Sequence, residues 1–211
     1  MKRYSSLALI ALFAAVASVA LVAQSPRGWM VRADASRNAT DPDGAGAIKF
    51  VTMGTGFHAT TPQAAVFWNP ANVASGNYSL KGSFRLIRPS GHTNYYGLVF
   101  GGSALEGPAQ KYLYFLVAQD GTWLIKERQG DVTTRDVAPK TPNAVVKKPD
   151  ASGSSTNALE VRVLADKIDY LVNGTIVHTT PKTGLTTDGI WGVRVNHLLE
   201  VHIDGLTLSK L

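Results

Sequence analysis

Apolar and polar residues alternate one by one along short segments of this chain, with Gly, Asn, Asp and Pro between the segments. Alternation of period two marks half-buried strands, because successive side chains point to opposite faces. Tyr78 to Ile87 is the clearest case: Tyr78, Leu80, Phe84 and Leu86 fall on one face, and Ser79, Lys81, Ser83 and Arg85 on the other. Trp29 to Arg32, Ile48 to Val51, Ala65 to Trp68, Tyr96 to Phe100, Ile190 to Asn196 and Leu199 to Leu208 read as further strands. After the first two dozen residues no segment of length carries helical periodicity.

Two hairpins follow from turn chemistry. Asn173-Gly174 joins Ile168–Val172 to Thr175–Thr179, and Asp120-Gly121 joins Tyr112–Ala118 to Trp123–Arg128. Both dipeptides tolerate the positive φ angles of a tight turn. A two-residue turn at Asn173-Gly174 sets Val172 against Thr175, Leu171 against Ile176, Tyr170 against Val177 and Asp169 against His178. Two-residue geometry at the other hairpin places Tyr112, Tyr114, Leu116, Trp123, Ile125 and Glu127 on one face, with Leu113, Phe115, Val117, Leu124, Lys126 and Arg128 on the other. Ala138 to Thr156, with Pro139, Pro142, Pro149 and a Gly/Ser cluster, reads as a loop crossing one end of a sandwich. Strands at this spacing, with hairpins and no helices, point to an all-β fold of two packed antiparallel sheets.

The amino terminus differs from the rest. Lys2 and Arg3 precede an apolar run, Leu7 to Val22, and small residues follow it. Such a charged start, apolar core and small-residue exit is the form of a cleavable signal-peptide helix. The run is shorter than the ~20 residues of a spanning helix, so no membrane span is expected after cleavage. The chain divides accordingly into residues 1–23, a signal peptide, and 24–211, one β domain that is secreted or periplasmic. With no cysteine, the domain must be held by packing alone, which suits a bacterial exported protein. The formal charge is +6, and removal of Lys2 and Arg3 leaves +4. The basic residues are dispersed, so nothing argues for a nucleic-acid partner.

The motifs of several enzyme classes are absent: no Gly-x-Ser-x-Gly elbow, no phosphate loop and no His-Glu-x-x-His. Glu106, Glu127, Glu160 and Glu200 do not pair with a second carboxylate along one strand, as glycoside hydrolysis would ask of a sandwich. A pair assembled across strands, such as Glu127 with a loop aspartate, stays open. The histidines, His58, His92, His178, His197 and His202, are scattered, and no metal site or other cofactor is expected from their spacing. Asp41-Pro42-Asp43-Gly44 reads first as a turn, although Asp41 and Asp43 also offer oxygens to calcium.

The aromatic residues are the remaining chemical signal. Sugar rings stack on aromatic faces while polar side chains bond their hydroxyls. Tyr95 has the opposite parity to Tyr96, Leu98 and Phe100 and is expected to face outward. Tyr95, Tyr112, Tyr114, Trp123 and Arg128 form the candidate carbohydrate-contact set, of which parity allows only a part on one face.

The segment Lys111-Tyr-Leu-Tyr-Phe-Leu-Val-Ala-Gln-Asp-Gly-Thr-Trp-Leu-Ile-Lys126 resembles the central hairpin of concanavalin A-like jelly rolls. Leu159-Glu-Val-Arg-Val163, Tyr170-Leu-Val-Asn-Gly-Thr-Ile-Val177, Gly189-Ile-Trp-Gly-Val-Arg-Val195 and Val201-His-Ile-Asp-Gly-Leu-Thr-Leu208 continue the likeness. From Gly76 onward the order is similar to laminin-G-like and 3-keto-disaccharide hydrolase-like domains. The resemblance implies a two-sheet jelly-roll sandwich and glycan-related work. The Glu-x-Asp-x-x-Glu strand of the jelly-roll glycosidases is missing, and Tyr96-Gly-Leu-Val-Phe-Gly101 lacks the arginine expected of the keto-sugar enzymes, so no catalytic residue carries over. The leading expectation is an exported, noncatalytic module that binds a glycan or polysaccharide or recognises a surface. A divergent glycoside or 3-keto-glycoside hydrolase and a structural protein-interaction sandwich of the envelope are the alternatives. The sugar and the oligomeric state stay open.

Overall fold

A computed structural model describes residues 26–211; the expected signal peptide falls outside the described residues. Fourteen strands follow in order: β1 (Met30–Asp34), β2 (Lys49–Met53), β3 (Gly56–Thr61), β4 (Ala64–Ala74), β5 (Tyr78–Arg88), β6 (Tyr95–Ser103), β7 (Lys111–Ala118), β8 (Thr122–Gln129), β9 (Thr133–Pro142), β10 (Ser155–Val163), β11 (Lys167–Val172), β12 (Thr175–Pro181), β13 (Gly189–Val195) and β14 (Leu199–Lys210). They form two seven-stranded antiparallel sheets. The front sheet has the order β1-β4-β13-β6-β7-β8-β9 and the back sheet β12-β11-β10-β5-β14-β3-β2. This is a jelly-roll sandwich, and no helix occurs among the described residues.

The inner faces meet in one aromatic-rich core. Phe67, Tyr96, Phe100 and Phe115 of the front sheet face Phe50, Phe84 and Tyr170 of the back sheet, all buried. Phe50 stacks on Phe67 with centroids 4.4 Å apart, and Phe115 meets Tyr170 edge-on at 5.3 Å. Each such ring contributes roughly 1.5–3 kcal/mol by burial, which explains how the domain holds without disulfides.

Strands β3 and β9 lack the alternation that reveals the others. At β3 the backbone of β14 presses close: a Cβ on Gly56 would lie 2.1 Å from the Ile203 carbonyl oxygen, and Ala59 is wholly buried. Strand β9 lies at the edge of the front sheet, with Ala138 its only buried residue, and tolerates Pro139 and Pro142 there. The irregular stretch expected over Ala138–Thr156 therefore contracts to residues 143–154. That segment crosses one end of the sandwich, pinned by buried Asn157, whose side chain bonds both the N–H and the C=O of Lys147.

The two hairpins diverge from a common expectation. At Asn173-Gly174 both residues have positive φ, 50° and 81°, so the turn has two residues, and Val172 opposes Thr175 and Leu171 opposes Ile176 as expected. A bulge after Leu171 then skips Val177, so Tyr170 opposes His178 and Asp169 opposes Thr179. The expected Asp169–His178 pair is absent. Asp169 instead accepts the Thr179 hydroxyl at 2.7 Å, while His178 turns inward against Trp123 and Tyr170.

At the other hairpin only Gly121 has positive φ, and Val117 opposes Trp123. The loop therefore holds an odd number of residues, a type I turn closed by a glycine. One residue of difference moves the whole of β8 to the opposite face. Tyr112, Tyr114 and Leu116 thus share the outer face with Leu124, Lys126 and Arg128, while Trp123, Ile125 and Glu127 face inward with Leu113, Phe115 and Val117.

Candidate functional site

The outer face of the front sheet carries its own buried cluster. Trp68 and Val66 of β4, Val99 of β6, Tyr112, Tyr114 and Leu116 of β7, and Leu124 of β8 form its floor, and Leu105 from the β6–β7 loop packs on it. Charged side chains from three strands, β1, β8 and β13, stand on this apolar floor. Alternation along Met-Val-Arg-Ala-Asp sends both Arg32 and Asp34 of β1 to the same side. Register then places Arg32 and Arg194 of β13 on either side of Val66, and Arg128 of β8 directly opposite Tyr112.

Asp34 is the hub. One carboxylate oxygen accepts from Arg128 Nη2 at 2.5 Å and from Arg194 Nη1 at 2.5 Å, and Arg32 Nε lies 4.0 Å from the other. Arg194 Nη1 also donates to the Tyr112 hydroxyl at 3.0 Å, its Nε donates to Asn196 at 3.1 Å, and its guanidinium lies 5.6 Å from the centroid of the Tyr114 ring. Its Nη2 has no hydrogen-bond partner among the described residues. Arg32 reaches outward to Asp131 and to the Gly107 carbonyl.

The electrostatics follow from this crowding. Burial alone would raise the Asp34 pKa, but the charges and hydrogen bonds of Arg194 and Arg128 outweigh it and hold the carboxyl below its ordinary range. Burial pushes the Tyr114 phenol up to about 12 despite the nearby Arg194. Burial disfavours the charged Arg194 guanidinium, yet Tyr112 and Asp34 raise its pKa above the ordinary arginine value, so it stays charged.

An open cavity of about 410 Å3 lies over the network, lined by Arg32, Arg37, Arg128 and Arg194 with Asp34, Asp41 and Asp131 among others. A second depression of about 210 Å3, lined by Tyr95, Tyr114 and Lys126, shares Arg194 and Asn196 with the first. Together they form a groove with arginine side chains above a tyrosine floor.

The structure brings four of the five candidate contact residues to this face: Tyr95, Tyr112, Tyr114 and Arg128. Trp123 is placed in the core, 3% exposed, because of the odd hairpin loop. Tyr112 and Tyr114 are themselves buried, at 2% and 7% exposure, and Tyr95 is the only one of the four aromatics partly open to solvent. The groove therefore presents guanidinium groups where an open stacking platform was expected. Arg32, Asp34 and Arg194 escaped the sequence reading. Their signal was a charged residue alternating with apolar ones inside a strand, as in Val193-Arg194-Val195.

At one end of the cavity the histidines dispersed in sequence meet. Asp41 Oδ1 lies 2.7 Å from His92 Nε2 and 3.1 Å from His197 Nε2, and the two imidazole nitrogens are 3.0 Å apart. Asp43 Oδ1 sits 3.3 Å from His197 Nδ1. Asp41 and Asp43 thus contact opposite nitrogens of one imidazole and do not converge as the oxygen pair expected for calcium. On the back sheet His58 faces His202 across β3 and β14, bonded to Glu200 and Asp204 respectively. Glu127 is bonded to Arg135 of β9 and has no aspartate partner.

No family model and no curated protein sequence matches the chain. Solved structures do. The carbohydrate-binding module CBM66 from Bacillus subtilis matches with a TM-score of 0.61 at 10% identity, over 87% of this chain and 96% of that one. A Bacillus subtilis protein of unknown function with a galectin-like fold gives 0.55 at 12% identity, over 86% and 89%. The family 7 alginate lyase A1-II′, solved with product, gives 0.52 at 16% identity, over 87% and 95%. What the chain shares with all three is the fold, a jelly-roll sandwich.

Proposed function

We propose that the protein is an exported, noncatalytic glycan-binding module whose groove on the outer face of the front sheet takes an acidic polysaccharide. The observation that carries this reading is the set of three arginines gathered around the single carboxylate of Asp34, beneath an open cavity. Guanidinium groups match carboxylates and sulfates bidentately and also donate to sugar hydroxyls. Asp34 and Asp131 together offset two of the three arginine charges, Arg37 adds an exposed cation to the cavity lining, and Lys126 in the adjoining depression is paired with Asp136. The fold shared with a carbohydrate-binding module supports the same reading.

The chemistry of the groove favours binding over hydrolysis. A glycoside hydrolase keeps one carboxyl protonated as general acid. Asp34 is held ionised instead, and Asp131 is engaged by Arg32 and Gln110.

Calorimetric titration with oligouronates, sulfated oligosaccharides and neutral glucans of equal length tests the proposal. The acidic ligands should bind, more weakly as salt rises, and Arg37→Ala, an exposed change at the rim, should weaken them. Equal affinity for neutral glucans would remove the charge argument. Turnover of any ligand would show the protein to be an enzyme.

A further inference from the structure

The structure assigns a divalent metal site of the zinc class to Asp41, His92 and His197. The three residues come from three separate connections, before β2, between β5 and β6, and between β13 and β14. Their ligand atoms form a nearly equilateral triangle with edges of 2.7, 3.0 and 3.1 Å. Tetrahedral ligands at the usual zinc distances stand about 3.3–3.4 Å apart, so each atom need move only a few tenths of an ångström to take up an ion.

Without an ion the triangle is held by hydrogen bonds of His92 Nε2 to Asp41 and His197, which a cation would replace. The carboxylate of Asp43 faces His197 Nδ1, which places the ring proton there and leaves Nε2 with a bare lone pair. The Asn94 amide nitrogen, 3.0 Å from His92 Nε2, asks for a lone pair at that atom as well. In that tautomer two nitrogen lone pairs and a carboxylate oxygen surround one point, and a cation there would take the His92 lone pair in place of the Asn94 amide. Asp43 also supplies the outer support that ligating histidines use. Its Oδ2 is fixed by the Ser36 N–H at 2.8 Å, and its buried Oδ1 faces His197 Nδ1 at 3.3 Å. Two nitrogens and one oxygen suit zinc better than calcium or magnesium, which prefer all-oxygen cages. The His92 and Asp41 side chains are 43% and 38% exposed, so a fourth position opens to solvent. Asp41 and His197 also line the cavity of the arginines, so that position borders the groove. The assignment does not depend on what the groove binds.

The test is calorimetric titration of the purified, chelator-stripped protein with Zn2+, with Co2+ as a spectroscopic probe. One Zn2+ per chain is expected, and Co2+ should show the intense visible bands of a four-coordinate ion. Asp43→Asn should weaken binding about 10–100-fold, and His92→Ala, at a partly exposed loop position, should abolish the stoichiometric step. His202→Ala on the back sheet should leave it unchanged. Absence of a stoichiometric step in the wild type, its survival in His92→Ala, or its loss in His202→Ala would overturn the assignment. Should His92→Ala fail to fold, the wild-type cobalt spectrum decides: six-coordinate bands, or none, contradict it.

Discussion

The two outer faces of the sandwich are built from the same alternating pattern and have opposite characters. On the back sheet, Glu160 with Arg162, Glu200 with His58 and Arg88, and His202 with Asp204 form local pairs, each with a partner more than a quarter exposed, and the hydrogen bonds from Arg162 and Ser79 hold the Glu160 pKa below its ordinary value. On the front sheet, Arg128, Arg194 and Asp34 are each about a tenth exposed at the side chain and stand on a buried aromatic floor. The back face shows how a sheet keeps its polar side soluble. The front face desolvates charges, an arrangement with little to offer stability over apolar packing and much to offer recognition.

The largest test of this contrast is Asp34→Ala. Removing the hub leaves the Arg194 and Arg128 charges uncompensated, and denaturant unfolding should show a loss of about 3–5 kcal/mol. Tyr112→Phe removes one acceptor of Arg194 and should cost roughly 1.5–3 kcal/mol in the same assay. On the back face, Glu160→Ala should cost only about 0–1 kcal/mol. Equal losses on both faces would erase the distinction.

Acid titration sharpens it. The folded Asp34 pKa lies below its ordinary 3.8, so its stabilisation is complete above that pH and is lost as the pH falls through the folded value. Wild-type stability should drop more steeply there than that of Asp34→Asn. The smallest effect concerns His178, whose pKa burial lowers from 6.5. Above pH 6.5 the ring is neutral in both states. As the pH falls below it the unfolded chain takes the proton first, so stability declines, and His178→Gln should flatten that slope.

His178 also shows where sequence reasoning reached its limit. Positive φ at both Asn173 and Gly174 is a local property, and the turn came out as read. The bulge after Leu171 is not local: it lets His178 turn inward to Trp123 and Tyr170. Asp120-Gly121 resembles Asn173-Gly174 in sequence, yet Asp120 accepts from Thr122 N–H and hydroxyl and pairs with Lys140, closing a longer loop. That one residue decided which of Trp123 and Arg128 reached the groove. The strands and core faces were legible because alternation is written within each segment. The arginine hub and the histidine cluster were not, since Asp34 and Arg194 are 160 positions apart and His92 and His197 are 105 apart. Only pairing of β1 and β13 on either side of β4 brings the first pair together.

The most direct measurement is amide chemical-shift mapping of the isotopically labelled protein during titration with an oligouronate. The account predicts saturable shifts confined to the front face, around residues 32–34, 94–97, 112–114, 126–128 and 194–197, with the back-face amides of β5, β10 and β14 unmoved. Shifts centred on Lys81, Glu160 and Arg162, or no saturable shifts with any acidic oligosaccharide, would contradict it.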